Sequence, residues 1–373
     1  MQTAPIKLSI GIIAWNEEKA LRASLDSIFQ QTLFRKFALR HWKCEIVCVA
    51  NGCTDHTVEV ATEIFSERTR THRYQNAFTA RVVNLAERGK VNAWNQFVHS
   101  ISDRQAQYLF MMDADILIHR PESLWAMFSA LEKDPEASVA VDRPCKDILF
   151  KQRKSLWDRL ALAAARLTSS ADAQLCGQLY CIRANIARNI YLPRDLAACE
   201  DGFIKTLVCT DFLTRPPVVG RIRLAEGAEH TFESYISPRA IIRNQKRQII
   251  GQTIVHIVID KYLRARPISE REHAGETLAG NDHSDPAWLK RLIHEHLQGT
   301  RSRWRLYPGM MGISFQRLRK LNLAQRVVCF PAAAAKWFVA VISGFFAYEA
   351  LKSGCTDYWP QAERQGLAPV ASK

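Results

Sequence analysis

Along the first half of the chain, short apolar runs alternate with stretches whose apolar residues recur every three or four positions. Runs of the first kind read as strands buried in a sheet, and stretches of the second kind as helices that cover it. The strand candidates are 8–13, 45–50, 80–84, 108–112 and 138–141, and the helix candidates between them are 17–31, 57–66, 91–101 and 121–133. Pro121 suits a first helical turn, and the helix it opens stops before Asp134-Pro135. Strand and helix in alternation predict an α/β fold, with a mostly parallel central sheet flanked by helices.

The pattern then changes. Residues 146–167 read as a basic amphipathic helix, with Phe150, Trp157, Leu160, Ala164 and Leu167 near one face and Lys151, Lys154, Arg159 and Arg166 charged. Such a helix either packs on the sheet or meets an acceptor or an anionic membrane surface. Residues 264–286 are polar and read as a linker or long loop. A helical C-terminal segment, 287–373, follows. Within it 327–348 is mostly apolar and long enough on paper to span a bilayer, but Pro331 and Lys336 interrupt it. Membrane-embedded, interfacial and protein-packed placements all stay open for it.

Composition adds two points. The chain has 373 residues, 47% of them hydrophobic and 24% charged, which suits a folded protein with a sizeable core. Its net charge of +14 predicts attraction to polyanions: nucleic acid, an anionic membrane face or phosphate-rich ligands. The ten cysteines form no C-x-x-C pair and no zinc-finger spacing, and read as reduced, mostly buried side chains of a cytosolic protein. The N-terminal stretch lacks a basic n-region and a cleavage site, so it reads as a first strand and not as a signal peptide.

Candidate chemistry starts at Asp113-Ala114-Asp115, just past the apolar run 108–112. Ligands of open α/β sheets bind at such strand ends. Two carboxylates at i and i+2 suit a hard divalent cation shared with phosphates, as the departure of a nucleoside diphosphate requires. Three other corners join the triplet. Trp15 and Asn16 follow the first strand, where a nucleotide base could rest. Asn51, after the second strand, offers a donor and an acceptor, while Asp55 reads equally as a helix N-cap. Arg88 and Lys90 flank Gly89 at a helix start and suit a diphosphate. The pair His294 and His296 lacks a zinc-protease pattern, and Gly89-Lys90 lacks the frame of a P-loop.

Taken in order, these segments resemble glycosyltransferase family 2, whose members are inverting enzymes with a GT-A nucleotide-sugar-binding fold. The resemblance covers roughly residues 6–250. The family's P-x-Y-N-E stretch matches AWNEE, V-D-D-G-S-T-D matches VANGCTD, G-K-x-x-A-x-N matches GKVNAWN, and D-x-D matches DAD. It implies a catalytic unit over 1–263, with a nucleotide-sugar-binding half, 1–142, and an acceptor-side half, 143–263. Trp15, Glu17 and Asn51 would meet the donor's nucleotide, and Lys90 would lie near the diphosphate. Asp113 and above all Asp115 would serve ribose, phosphates and a Mg²⁺ or Mn²⁺ ion. The family's E-D motif matches Glu200-Asp201, which makes Asp201 the general base for the acceptor hydroxyl. Gly177 matches the small residue before the acceptor-side strand.

Two departures matter. Ala50 stands where the family has the first Asp of V-D-D-G. Of the Q-x-x-R-W motif of processive synthases, Asn244 and Arg247 keep the spacing, but Gln248 replaces the Trp. Arg243 and Arg247 still suit the leaving diphosphate, and the lost Trp favours addition of a single sugar. The resemblance thus implies a transferase using a nucleotide sugar, with UDP favoured, and a glycan or lipid-linked acceptor. It would be cytoplasmic, at the inner face of the cell membrane, with no nucleic-acid partner. Two other readings compete. A sugar nucleotidyltransferase needs a Gly-rich loop after the first strand, and AWNEE has none. A membrane-surface or polyanion-binding protein without catalysis leaves the carboxylate motifs without a task.

Overall fold

The computed structural model describes residues 6–147, 173–233, 237–299, 318–319 and 322–354. Its centre is a seven-stranded sheet in the order β3-β2-β1-β4-β6-β5-β7. The strands are β1 Ile6–Ala14, β2 Lys43–Asn51, β3 Phe78–Leu85, β4 Tyr108–Asp113, β5 Val139–Lys146, β6 Leu179–Arg183 and β7 Ile222–Phe232. All pairings are parallel except the two made by β6, which runs against β4 and β5. The five strands predicted from the apolar runs are present and extend by one to five residues. β6 and β7 are additional.

Helices cover both faces because the strand residues alternate between them. Leu8, Ile10 and Ile12 of β1 pack on one side with α1 Leu21–Phe29, α2 Leu33–Ala38, α3 Thr57–Thr71 and α5 Ser123–Lys133. Ile13, Val47 and Met111 face the other, with α4 Lys90–Gln96, α6 Ala184–Ala187, α7 Glu200–Cys209 and α8 Pro238–His256. The helix predicted over 17–31 begins only at Leu21, because Asn16 to Glu18 form a corner tied to the loop after β2. There the Asn16 side chain accepts from Thr54 N (2.8 Å), and Glu18 N donates to Asp55 Oδ2 (3.2 Å). The helix predicted over 91–101 is α4 continued by a wider, π-type turn, Phe97–Ile101.

Residues 264–286 are not a linker. They fold as α9 Ile268–Glu272 and α10 Ala274–Ser284, and α10 packs on the core beneath the sheet. Ala274 and Leu278 are fully buried in the same core as β4 and α7. Asp282, buried too, accepts from Arg194 N (2.7 Å) and from the Trp288 indole (2.5 Å). The predicted helical C-terminal segment contains α11 Trp288–Gly299 and α12 Leu323–Lys352. The amphipathic helix expected over 146–167 lies outside the described residues from position 148 onward.

Candidate active site

The parallel strands β1, β2 and β4 end at the same edge of the sheet, and the antiparallel β6 starts there. A cleft of ≈ 1170 Å³ opens above that edge. Ile13 pairs with both Val49 and Asp113, so the residues that follow β1 and β2 emerge beside the end of β4. The chain turns from β1 to β2 and β3 on one side and returns to β4 on the other, the topological switch point where open α/β sheets take ligands. Trp15, Glu17, Asn51, Lys90, Asp113, Asp115, Asp201, Arg243 and Arg247 all line this cleft.

At its floor Lys90 joins two carboxylates from distant parts of the chain. Its Nζ lies 2.6 Å from Asp113 Oδ1 and 3.0 Å from Glu200 Oε1, and donates to the Gly177 carbonyl (3.3 Å). Gly177 has to be small: a Cβ there would sit 2.9 Å from Glu200 Oε1 and displace the carboxylate from Lys90. Glu200 opens α7, and Cys199 before it takes the left-handed conformation (φ 64°), which costs about 1–2 kcal/mol for a residue with a Cβ. That turn aims the first two carboxylates of α7 into the cleft, where the helix N-terminus also favours negative charge.

These contacts order the ionisation of the site. Burial works against the Lys90 ammonium, but Asp113 and Glu200 outweigh it and hold its pKa above the ordinary lysine value. Burial, together with the charge of Asp115, pushes Asp113 up to about 6 despite the pull of Lys90. Burial also opposes ionisation of Glu200, yet Lys90 brings it below the ordinary glutamate value. Asp201 is pushed up to about 6, by burial first and then by the charge of Glu200. Its Oδ1 accepts from Gly202 N (2.7 Å), which fixes the carboxylate's direction.

The donor-side corners divide. Arg88 stacks its guanidinium 3.5 Å from the centre of the Trp15 ring, so that indole face is covered by a cation. Asn51, expected against a base, lines the cleft from within the protein. It is 2% exposed, its Nδ2 donates to Ala14 O (2.7 Å), and its Oδ1 accepts from Gly89 N (2.9 Å). These two bonds brace the Gly89 loop that carries Lys90. Asp55, read equally as an N-cap, stands one residue before the N-cap His56 of α3 and accepts from Thr57 N (3.0 Å) in a local turn. Arg243 and Arg247 reach the cleft from α8, and Arg247 donates to Asn244 Oδ1 (3.3 Å).

Asp113 and Asp115, the carboxylates expected to hold a cation, both line the cleft, where Lys90 takes both oxygens of Asp113 (2.6 and 2.9 Å). Among the described residues no three His, Cys, Asp or Glu side chains group as a metal cage. The donor set suits Mg²⁺ or Mn²⁺ in the manner of an ion that takes one or two carboxylates and completes its shell with phosphate oxygens and water.

Several cleft residues escaped the sequence reading. Glu200 anchors Lys90, a role its adjacency to Asp201 could have suggested. Gln178 lines the cleft and faces His230 Nε2 (3.3 Å), whose Nδ1 is 2.7 Å from the buried Asp142. Arg188, Arg194 and Glu276 line it as well. Nothing in their local pattern marks them.

Comparison with known proteins gives the same picture. Residues 9–183 match the family model described as glycosyl transferase family 2. No curated protein gives a significant match. Among solved structures, the chain is similar to the mannosyltransferase PcManGT from Pyrobaculum calidifontis in complex with GDP-Man and Mn²⁺. Identity is 16% over 92% of this chain and 90% of that one, with a TM-score of 0.51. It is also similar to TarS 1–349 of S. aureus, at 14% identity over 94% and 92% of the two chains and a TM-score of 0.43. Glucosyl-3-phosphoglycerate synthase of M. tuberculosis follows at 13% identity over 68% and 81%, with a TM-score of 0.41. The first of these likenesses bears on the fold. Over residues 9–183 the chain is thus similar to glycosyl transferase family 2, and its fold is like that of the PcManGT structure.

Proposed function

We propose that the protein is an inverting glycosyltransferase that moves one sugar from a nucleotide-diphosphate donor, with UDP favoured, to a hydroxyl of a glycan or lipid-linked acceptor. The observation that carries this reading is the convergence, in one cleft, of the Asp113–Asp115 carboxylates and Asp201, with Lys90 joining Asp113 to Glu200. Asp201 is the general base. With a pKa near 6 it is largely ionised at neutral pH, yet basic enough to accept a proton as the hydroxyl attacks. The hydroxyl oxygen bonds to the anomeric carbon on the face opposite the diphosphate as the bond to the diphosphate breaks, so the configuration inverts.

Lys90, Arg243 and Arg247 put positive charge on the walls where the leaving diphosphate gains negative charge. A Mg²⁺ or Mn²⁺ ion held by Asp115, with Asp113 behind it, would add charge neutralisation of the diphosphate. Gln248, standing where processive synthases carry Trp, supports release after a single transfer. The test is transfer from radiolabelled UDP-sugars in the presence of Mn²⁺ or Mg²⁺. Asp201→Ala and Asp115→Ala should each lower the rate by about 10²-fold or more. Full activity in either variant removes that residue from its assigned role.

A further inference from the structure

We propose that α12 lies in the plane of a membrane surface, with its aromatic face in the lipid, and docks the catalytic domain on an anionic bilayer. The helix has two unlike faces. Ala333, Ala340, Ser343, Ala347, Ala350 and Leu351 are buried, and the last three belong to the same core as Ile249, Ile250 and Ile254 of α8. Ser343 Oγ also donates to Ile242 O of α8 (3.4 Å). At 3.6 residues per turn, the opposite half of the circumference holds Phe330, Phe338, Phe345 and Phe346, with Trp337 at its border and the exposed Glu349 among them. The five aromatics are 43–60% exposed. Five large aromatics on one open helix face are not an ordinary surface, where large apolar side chains occur singly.

Two arguments select the occupant. Cys329–Lys352 is long and apolar enough to cross a bilayer. Its packed face is nevertheless committed to the catalytic core, so crossing would pull α8, and with it the cleft-lining Arg243 and Arg247, towards the hydrocarbon. Lying flat keeps both helices where they are. The charge is the second argument. From His296 to the end of α12 the chain holds Arg301, Arg303, Arg305, Arg317, Arg319, Lys320, Arg326, Lys336 and Lys352 against a single acidic residue, Glu349. A basic stretch joined to an aromatic helix face is complementary to anionic headgroups over an apolar interior. This deepens the transferase reading: α8 faces the cleft on one side and α12 on the other, so a docked enzyme meets acceptors anchored in lipid.

Co-sedimentation of the full chain with phosphatidylcholine vesicles, with and without phosphatidylglycerol, tests the docking. The wild type should pellet with the phosphatidylglycerol vesicles and be released by high salt together with alkaline carbonate. The triple variant Phe338→Ser, Phe345→Ser, Phe346→Ser should bind those vesicles at least about tenfold more weakly. These positions are exposed, and an unchanged melting temperature of the variant shows that the fold is retained. Equal binding by variant and wild type overturns the proposal, and so does resistance to carbonate, which marks a spanning helix. A dimer in light scattering that the triple variant loses, without vesicle binding, reassigns the face to a second copy. Donor hydrolysis measured without vesicles reports on the transferase reading separately: its absence sinks that reading and leaves the docking result standing.

Discussion

Glu200 and Asp201 are neighbours in sequence, yet burial leads to opposite outcomes, because Lys90 lies 3.0 Å from the Glu200 carboxylate. The ammonium makes Glu200 a fixed negative charge, and that charge in turn makes Asp201 harder to ionise. A base must be unprotonated to act, so the rate should fall as the pH drops through the raised pKa. We expect kcat/KM to lose activity on the acid side with an apparent pKa near 6, the value to which burial pushes both Asp201 and Asp113. Removing the negative charge in Glu200→Gln eases ionisation of both, so the acid limb should move to lower pH even as the maximal rate declines. The pH profile of the variant decides this: a limb that stays in place assigns it to some other group.

At the scale of elements, the sheet was legible because a strand buried on both faces writes a continuous apolar run, as β1, β2 and β4 do. Three of the four ordered corners around the cleft were legible for a related reason, since they follow directly on such runs, while the Gly89 corner follows the half-exposed edge strand β3. The roles within them were less so. Asn51 offers the same donor and acceptor to a base as to the backbone of Ala14 and Gly89, and only the fold shows which partner it takes. The helices α9 and α10 were missed because their buried contacts are small and sparse, Ala274, Gly275 and Leu278 among polar residues, so no apolar periodicity announced them. Gly275 tests that packing. A Cβ there would lie 2.5 Å from the Asn189 carbonyl oxygen and 2.9 Å from its carbon, backbone atoms that cannot swing away. Gly275→Val should therefore destabilise the catalytic domain by about 1–3 kcal/mol, read as a lower midpoint in chemical denaturation. A tether between domains would tolerate the same change, so a neutral variant would argue that α10 does not dock as described.

For the molecule as a whole, the net charge of +14 raises the question of which anions it holds in a defined place and which it only attracts. Diffuse attraction is screened within about 10 Å at moderate salt, whereas a ligand gripped in the cleft is screened far less. A ligand that binds only the folded chain stabilises it by about 2.7 kcal/mol at a hundredfold excess over its Kd. Thermal unfolding across UDP, GDP and dTDP, each with and without Mn²⁺, should therefore single out one nucleotide that raises Tm by several degrees. That rise should depend on the metal, survive moderate salt and vanish in Asp113→Ala/Asp115→Ala. Loss of those two carboxylates makes the molecule still more basic, so an anion held only by overall charge would bind the double variant at least as well as the wild type. Stabilisation that persists in the double variant and disappears with salt would place the nucleotide outside the cleft. Stabilisation that follows the carboxylates and the metal ties the donor to the sheet edge where β4 ends.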